Sequence, residues 1–187
     1  MPEIYFPAED SYLMLETLSE IIPKLIEDNE NSKFLEIGCG SGIQLQVVSK
    51  LGIKKKNIFS CDINEEAVKH CKSLGFSCIK SDLFENLDEN EKYDIIVFNP
   101  PYLPSDRRES KDSQIATTGG KSGSEIINKF LIQAKKHLEK NGKIILLTSS
   151  LTKRIKWDGF KKKKISEESL FFEKLFVWEL SLQDNNA

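Results

Sequence analysis

The sequence lacks the usual marks of a secreted, membrane-bound or zinc-binding protein. Its four cysteines form no Cys-x-x-Cys pair, and with only two histidines they do not reach the spacing of zinc ligands. The N-terminus has no basic segment followed by an apolar stretch, and no apolar run is long enough to cross a bilayer. These absences predict a soluble, cytoplasmic protein without a metal, in which Cys39, Cys61, Cys71 and Cys78 are reduced and mostly buried.

The sequence also lacks a strong charge of either sign. Lysine and arginine total 27 and aspartate and glutamate total 29, so the formal net charge is −2. We therefore expect no general attraction to nucleic acid, although the segment 153–164 is locally very basic. A chain of 187 residues can bury the core of one domain without disulfides or a metal, and we expect a single domain over 1–187.

Hydrophobic patterning alternates between strand-like and helix-like segments. We predict helices over 9–28, 43–51, 65–73 and 124–138. We predict strands over 33–37, 57–62, 76–80, 93–98 and 143–149, with two edge strands near 162–166 and 171–182. This alternation predicts a mainly parallel sheet with helices on both faces and a ligand beyond the carboxyl ends of the strands. The polar segment 103–122 is expected to be a functional or mobile loop, and Asn64 is expected to cap the third helix.

The first predicted strand runs into a glycine-rich turn, Gly38-Cys39-Gly40-Ser41-Gly42. Glycines permit a tight turn and let a ligand approach the backbone closely. The turn is not the full dinucleotide fingerprint, so it leaves NAD and a different nucleoside cofactor both open. Glu36 precedes it inside an apolar strand, where a charge is costly to bury for structure alone. A positively charged ligand group would compensate this carboxylate, and an interior salt bridge is the alternative.

Acidic residues end the next two strands. Asp62 follows the glycine turn by about 20 residues, a position from which a carboxylate accepts hydrogen bonds from both ribose hydroxyls. Asp82 can accept a hydrogen bond from the exocyclic amine of a purine, with Leu83 and Phe84 packed on the ring. Either acid alone could instead cap a helix or lie in a solvated turn. Two acids at successive strand ends favour a nucleoside site.

The most specific local motif is Asn99-Pro100-Pro101-Tyr102, at the end of the fourth strand. Two prolines remove backbone donors and stiffen the turn, which leaves the Asn99 side-chain oxygen and the Pro100 carbonyl as acceptors. A planar NH2 group has two donors to meet them, and Tyr102 offers a flat face for stacking. Holding a poorly nucleophilic nitrogen at about 3–3.5 Å from its reaction partner can supply several kcal/mol. A rigid turn in which Asn99 bonds its own backbone is the structural alternative.

In this order, the glycine turn, the two acids and Asn-Pro-Pro-Tyr resemble the class I S-adenosylmethionine-dependent methyltransferases. More narrowly, the chain resembles the HemK family of protein-glutamine N5-methyltransferases. The N-terminal segment 4–15, IYFPAEDSYLML, and the glycine-bearing segment 119–123 are similar to the short archaeal and eukaryotic members. The resemblance implies a Rossmann-like α/β fold: a mainly parallel seven-stranded sheet with an antiparallel edge hairpin. It implies a helical cap segment over 1–30 and a core over 31–187.

The resemblance also implies a reaction, the N5-methylation of the glutamine in the Gly-Gly-Gln motif of a class I release factor, with S-adenosylmethionine as cofactor. It implies that Pro7, Asp10 and Ser11 fold over the cofactor, with Ser11 near its carboxylate. A small zinc-binding activator protein is a further implied partner, with nucleic acid contacted only indirectly and no membrane. The predicted catalytic residues are Asn99, Pro100, Pro101 and Tyr102. The predicted cofactor-binding residues are Ser11, Glu36, Gly38, Gly40, Gly42, Asp62, Ile63, Asp82, Leu83 and Asn99.

Two other functions stay open. Adenine N6-methylation of DNA or RNA would use the same four catalytic residues, because adenine also presents a planar NH2 group. The basic segment 153–164 could then contact phosphates, but the chain has neither a separate target-recognition domain nor an overall basic charge. A non-catalytic binding subunit is the other alternative, which the intact Asn99 and cofactor acids disfavour. After the fifth strand the chain departs from the family pattern, since the expected helix is short and 153–164 is unusually basic.

Overall fold

A computed structural model describes residues 4–105 and 117–183, so 106–116, the middle of the predicted polar loop, lies outside the described residues. The α-helices are α1 (Glu9–Asp28), α2 (Ile43–Lys50), α3 (Glu65–Ser73) and α4 (Glu125–His137). The strands are β1 (Phe34–Ile37), β2 (Ile58–Asp62), β3 (Ser77–Lys80), β4 (Tyr93–Phe98), β5 (Leu138–Ser149), β6 (Phe160–Ser169) and β7 (Lys174–Leu182). The Asn64 side chain accepts a hydrogen bond from the Glu66 amide, which confirms it as the cap of α3.

The strands form one seven-stranded sheet in the order β3-β2-β1-β4-β5-β7-β6. Neighbours from β3 to β5 are parallel, whereas β7 runs antiparallel to both β5 and β6. The predicted fold, a mainly parallel sheet with an antiparallel edge hairpin, is confirmed. Because β1 to β5 point the same way, their carboxyl ends meet at one edge, and the strand order reverses between β1 and β4.

Hydrophobic clusters cover the two faces of the sheet. In β4, Ile95 and Val97 point to the cluster under α1, α2 and α3, whereas Ile96 and Phe98 point to the cluster under α4. Successive side chains of a strand point to opposite faces, and both faces of this central strand are covered, so all four of these side chains are buried. Each fully buried side chain of this size contributes about 1.5–3 kcal/mol. This packing fixes the strand ends relative to one another.

The start of β5 corrects the sequence-based boundary. The helix predicted over 124–138, with a stop near Asn141-Gly142, agrees with α4, but the strand predicted from 143 begins at Leu138. Leu138 already has an extended conformation and pairs with Tyr93. A Cβ on Gly142 would lie 2.9 Å from the Tyr93 carbonyl oxygen, so this glycine allows two strands to approach closely instead of ending a helix.

The edge hairpin is longer than predicted, and the chain between β5 and β6 is not helical. Strand β6 is longer than the predicted 162–166, whereas β7 begins at Lys174 and not at 171, and the two strands pair along almost their whole lengths. The segment 150–159 forms turns and irregular chain where a short helix was expected. No described helix has the length and apolar character needed to cross a membrane. All four cysteines are free and buried, and the burial of these side chains was predicted.

Candidate active site

A cavity of about 470 Å³ opens at the carboxyl edge of the parallel strands, at the reversal of strand order. Strands β1 to β4 end at it, and the start of α1 closes one side. Most of the sequence-predicted site residues line it: Ser11, Glu36, Gly38, Gly40, Asp62, Ile63, Asp82, Leu83, Asn99, Pro100 and Pro101. The structure thus brings together residues that are spread over the first 101 positions of the chain.

Three predicted residues lie beside the cavity and are not among its described lining. Gly42 is the N-cap residue of α2 and has φ +70°, and a Cβ there would lie 3.0 Å from the Cys71 Sγ atom. Phe84 is buried and stacks on the His137 ring with 4.8 Å between centroids. Tyr102 is half-buried between the two hydrophobic clusters, and burial together with the negative Asp10 raises the pKa of its hydroxyl. Stacking of Tyr102 on a target stays a prediction.

Asp62 organises the glycine turn. Its Oδ2 accepts a hydrogen bond from the Gly40 amide at 2.9 Å and its Oδ1 accepts one from the Asn64 amide at 2.8 Å. Burial raises the pKa of Asp62, although both backbone hydrogen bonds act in the opposite direction. Each carboxylate oxygen has more than one lone pair, so this turn-forming role leaves acceptor capacity for a ligand.

Glu36 is the least compensated charge of the site. It is 3% exposed on β1, and its Oε2 has no hydrogen-bond partner among the described residues. Burial, and then the negative charge of Asp62, raises its pKa well above the usual value. The described residues form no salt bridge with Glu36, so the interior salt bridge considered above is not found in residues 4–105 and 117–183.

The Glu36 oxygen is one of three side-chain oxygens at the cavity that are buried without a partner in the described structure. The others are Gln44 Oε1 and Asn99 Oδ1. Leaving a buried acceptor unpaired costs about 1–3 kcal/mol, so unpaired acceptors around one cavity indicate a ligand rich in donors. S-adenosylmethionine carries an amino group, two ribose hydroxyls and an adenine amine, and the cavity falls within the usual volume range of cofactor sites. The residues present therefore fit this cofactor.

Asp82 has a partner that the sequence pattern did not indicate. Lys129 of α4 also lines the cavity, and its Nζ donates to Asp82 Oδ2 at 2.7 Å and to Glu85 Oε1 at 2.9 Å. These hydrogen bonds raise the pKa of Lys129. An adenine amine would have to share the Asp82 carboxylate with this lysine. The assignment of Asp82 to adenine stays a prediction.

Asp10 orients the side chain of Asn99. The Asn99 Nδ2 donates to Asp10 Oδ2 at 3.2 Å, which leaves Oδ1 as a buried acceptor without a partner among the described residues, on a residue that lines the cavity. Asp10 is itself held by the Tyr5 hydroxyl at 2.9 Å and by the Ser11 amide at 2.6 Å. The contact joins α1 to the end of β4 across the sheet, so no local sequence pattern could have indicated it. We therefore predict that Asp10 is a positioning residue, which acts through Asn99.

We expect Asp10→Ala to lower kcat about 10- to 100-fold, because misplacement of an aligning group by about 1 Å has an effect of that order. Asp10→Asn should recover part of the loss, since its side-chain oxygen can still accept from Asn99. Steady-state methylation kinetics measure kcat, and calorimetric titration measures cofactor affinity, which should change far less. Asp28→Ala, an exposed position on the same helix, is the control. Equal losses of kcat and cofactor affinity in Asp10→Ala would contradict a positioning role.

The glycine-bearing segment 119–123 packs against the backbone of the Asn-Pro-Pro-Tyr motif. A Cβ on Gly119 would lie 2.4 Å from the Pro101 carbonyl oxygen, and a Cβ on Gly123 would lie 2.4 Å from the Tyr102 carbonyl oxygen. The Leu103 amide donates to the Thr117 carbonyl, and the Gly119 amide donates to the Leu103 carbonyl, both at 2.9 Å. The glycines are therefore needed for close backbone contact with the motif.

Because the atoms that crowd Gly119 belong to the backbone, Gly119→Ala must displace the motif or the segment. We expect a destabilisation of about 1–3 kcal/mol, typical of overpacking, and a loss of activity of about 100-fold from misplacement of Asn99. Urea unfolding and steady-state kinetics measure the two effects. In the control, Gly75→Ala, the nearest atom is the flexible Lys55 Nζ and the strained turn lies outside the cavity lining. That variant should lose stability without a comparable loss of kcat.

The described residues contain no group of three or more His, Cys, Asp or Glu side chains that could hold a metal ion. The arrangement instead combines a donor-rich ligand site with one oriented amide oxygen at its edge. Such a site can hold a nucleoside cofactor and align a planar NH2 group beside it.

Comparisons with known proteins agree with this geometry. The family model of the methyltransferase small domain matches residues 11–156. A putative protein N5-glutamine methyltransferase of Methanocaldococcus jannaschii is 39% identical over 96% of this chain and 93% of its own. The eRF1 methyltransferase catalytic subunit mtq2 of Schizosaccharomyces pombe is 27% identical over 95% of this chain and 93% of its own.

A solved structure shares the fold over its whole length. It is the Mtq2-Trm112 complex of E. cuniculi, described as responsible for the methylation of the eRF1 translation termination factor. The superposition has a TM-score of 0.72 at 21% sequence identity and covers 98% of this chain and 100% of that chain. At this identity the likeness concerns the arrangement of helices and strands.

Proposed function

This chain belongs to the methyltransferase small domain family, among the short protein N5-glutamine methyltransferases of the HemK type, and we propose that it methylates the glutamine of a Gly-Gly-Gln motif in a class I translation release factor. The observation that carries the proposal is the buried Asn99 Oδ1, which has no partner among the described residues and is aimed by Asp10. The names of the relatives, an N5-glutamine methyltransferase and an eRF1 methyltransferase, support the substrate.

S-adenosylmethionine, when bound, supplies an electrophilic methyl group on a sulfonium. The residues that would hold it are Glu36 for its amino group, Asp62 for the ribose hydroxyls and Ser11 for its carboxylate, with Gly38 and Gly40 presenting the backbone of the turn. Asp82 and Lys129 would lie at the adenine end. The cavity fits this cofactor because it contains unpaired acceptors and negative charge. A buried carboxylate without a partner is stabilised when a cationic ligand binds beside it.

The residues of the Asn-Pro-Pro-Tyr motif bind and orient the side-chain amide nitrogen of the substrate glutamine. Asn99 Oδ1 accepts one N–H of the substrate amide, and the Pro100 carbonyl accepts the other. An amide nitrogen normally delocalises its lone pair, so two acceptors that hold both N–H bonds favour a geometry in which the lone pair points at the methyl group. Its proton becomes acidic only as the new N–C bond forms, and the proposed mechanism therefore requires no strong general base.

The test is incubation of the purified protein with labelled S-adenosylmethionine and the cognate release factor. We expect label on the glutamine of Gly-Gly-Gln, identified by peptide mass spectrometry, and none on a factor in which that glutamine is replaced by asparagine. Label on adenine of DNA or RNA, with none on the factor, would establish the alternative N6-adenine reaction. Cofactor binding without transfer to either substrate would favour a non-catalytic subunit.

The substrate assay should be run with and without a candidate activator. The fold neighbour from E. cuniculi is a complex of Mtq2 with Trm112, and we propose that this chain also assembles with a small activator protein, one that binds zinc. Co-expression and co-purification, followed by metal analysis of the partner, test the two parts of this proposal separately. We further propose a cytoplasmic location, for which the four free, buried cysteines are the support.

A further inference from the structure

A second groove, of about 380 Å³, lies beside the cofactor cavity at the end of β5, and its charge has the opposite sign. Its lining includes three cationic side chains, those of Lys153, Arg154 and Lys162, and no described carboxylate. The cofactor cavity, in contrast, is lined by four carboxylates and one lysine. Aromatic rings, hydroxyl groups and the aliphatic Ile155 form the rest of the groove. The basic segment noted in the sequence therefore forms part of a defined concave surface.

The chain that forms the groove is held in a strained conformation. Arg154 has φ +62°, a left-handed conformation that is unfavourable for a side chain with a Cβ. Asn128 of α4 secures it, because its Nδ2 donates to the Arg154 carbonyl at 3.2 Å and its Oδ1 accepts from the Lys156 amide at 2.8 Å. The Lys153 amide donates to the Ser122 carbonyl at 3.0 Å. Strain persists where surrounding contacts determine it, and such positions cluster at binding sites.

Lys162 lies over two indole rings. Its Nζ is 4.6 Å from the centroid of the Trp157 ring and 5.0 Å from that of Trp178, and the Trp178 Nε1 donates to Thr148 Oγ1 at 2.8 Å. The ammonium is thereby held in one place and covers these ring faces. Bases of single-stranded nucleic acid stack on open aromatic faces, so this arrangement favours a carboxylate that meets the held ammonium.

The groove adjoins the Asn-Pro-Pro-Tyr motif through one hydrogen bond. Thr152, which lines the groove, donates from its Oγ1 to the Tyr102 carbonyl at 2.9 Å, and its Oγ1 accepts from the Ser149 amide at 3.1 Å. A polypeptide whose glutamine enters the cavity at Asn99 would therefore have another part of its surface near this groove.

We propose that the groove binds an acidic segment of the protein substrate, outside the Gly-Gly-Gln loop, while the glutamine occupies the site at Asn99. This inference rests on the proposed function, because it names the surface by which that substrate docks. Within residues 4–105 and 117–183, Lys153, Arg154 and Lys162 make no salt bridge, so their charge is available to such a segment. Charge complementarity of this kind determines docking and association, and salt weakens it.

The experiment compares wild type with the double variant Arg154→Glu/Lys162→Glu on two substrates, the intact release factor and a short peptide that contains only the Gly-Gly-Gln loop. We expect the KM for the intact factor to rise about tenfold or more, with kcat within about twofold and the KM for the peptide unchanged. Raising the salt concentration should increase the wild-type KM for the factor but not that of the variant. Lys140→Glu, at an exposed lysine near the opposite end of β5, is a single charge-reversal control away from the groove.

Several results would overturn the inference while leaving the proposed function intact. One is an unchanged KM for the intact factor in the double variant, and another is an equal change for the factor and the peptide. Salt-sensitive binding of a fluorescent single-stranded RNA to wild type, lost in the double variant and competitive with the factor, would assign the groove to nucleic acid. No methylation of either substrate by wild type, with or without the candidate activator protein, would instead overturn the proposed function, and the inference with it.

Discussion

We expect Asn99→Ala to lower the kcat of methyl transfer about 100- to 1,000-fold and to leave the affinity for S-adenosylmethionine nearly unchanged. This magnitude is typical for the loss of one preorganised group that acts on the reacting atoms. Asn99 Oδ1 is the unpartnered acceptor of a side chain that Asp10 holds through Nδ2, and alanine leaves neither an acceptor nor a side chain for Asp10 to hold. The substrate nitrogen then keeps its resonance and its random orientation.

Single-turnover methylation measures the chemical step in this variant, and calorimetric titration measures cofactor binding. Asn90→Ala, at an exposed turn between β3 and β4, is the matched control and should behave as wild type. Equal losses of methylation and cofactor affinity in Asn99→Ala would mean that Asn99 is a structural residue. An unchanged kcat would mean that another group aligns the target.

Glu36→Gln should change cofactor affinity and protein stability in opposite directions: the affinity for S-adenosylmethionine should fall, and the free energy of unfolding of the unliganded protein should rise. The variant should bind S-adenosylmethionine about 10- to 100-fold more weakly, because a charge-assisted hydrogen bond contributes about 1.5–3 kcal/mol. The unliganded variant should be more stable than wild type by about 1–3 kcal/mol, since a buried carboxylate without a partner is replaced by a neutral amide of the same shape. Glu89→Gln, an exposed change of the same type, should alter neither quantity.

The stability difference should depend on pH in a defined direction. Burial raises the pKa of Glu36 in the folded protein above its usual value near 4.5. The contribution of this group to stability is therefore fully present below about pH 4.5 and is lost as the pH rises through the folded pKa. The free energy of unfolding of wild type should fall relative to that of Glu36→Gln over this rise. Urea titrations at several pH values measure this difference. If the free energies of unfolding of wild type and Glu36→Gln differed by the same amount from pH 4 to 8, the raised pKa of Glu36 would be contradicted.

Cofactor binding to wild type should show the complementary effect. A cationic amino group favours the charged carboxylate, so binding releases a proton wherever Glu36 is protonated in the free protein. Affinity should therefore increase as the pH rises towards the folded pKa of Glu36. Calorimetry in two buffers of different ionisation enthalpy counts the released proton, and Glu36→Gln should lack this part of the release.

The sequence by itself determined the order of the elements and the class of chemistry. The bounds predicted for the first helix and for the fourth strand agree with α1 and β4. The first segment keeps helical spacing of its apolar residues on both sides of Pro23, and the other is a β-branched, apolar run typical of a central strand. The glycine turn, Asp62, Asp82 and Asn99 could be placed at one edge because parallel strands align their carboxyl ends. The local sequence pattern was therefore sufficient to predict the position of residues that directly follow their own strand.

Only the tertiary structure decided how those residues are held and what surrounds them. The contact of Asp10 with Asn99 joins residues 89 positions apart, and that of Lys129 with Asp82 joins residues 47 apart. The sequence predicts only a charged surface over 153–164, whereas the structure places Trp178 of β7 beneath Lys162. The sequence predicts that a helix stops near Gly142, whereas in the structure this glycine lets β5 approach the Tyr93 carbonyl. Periodicity reports which face of an element is buried, whereas partners between distant elements depend on strand order and register, which bring side chains together without leaving a local pattern.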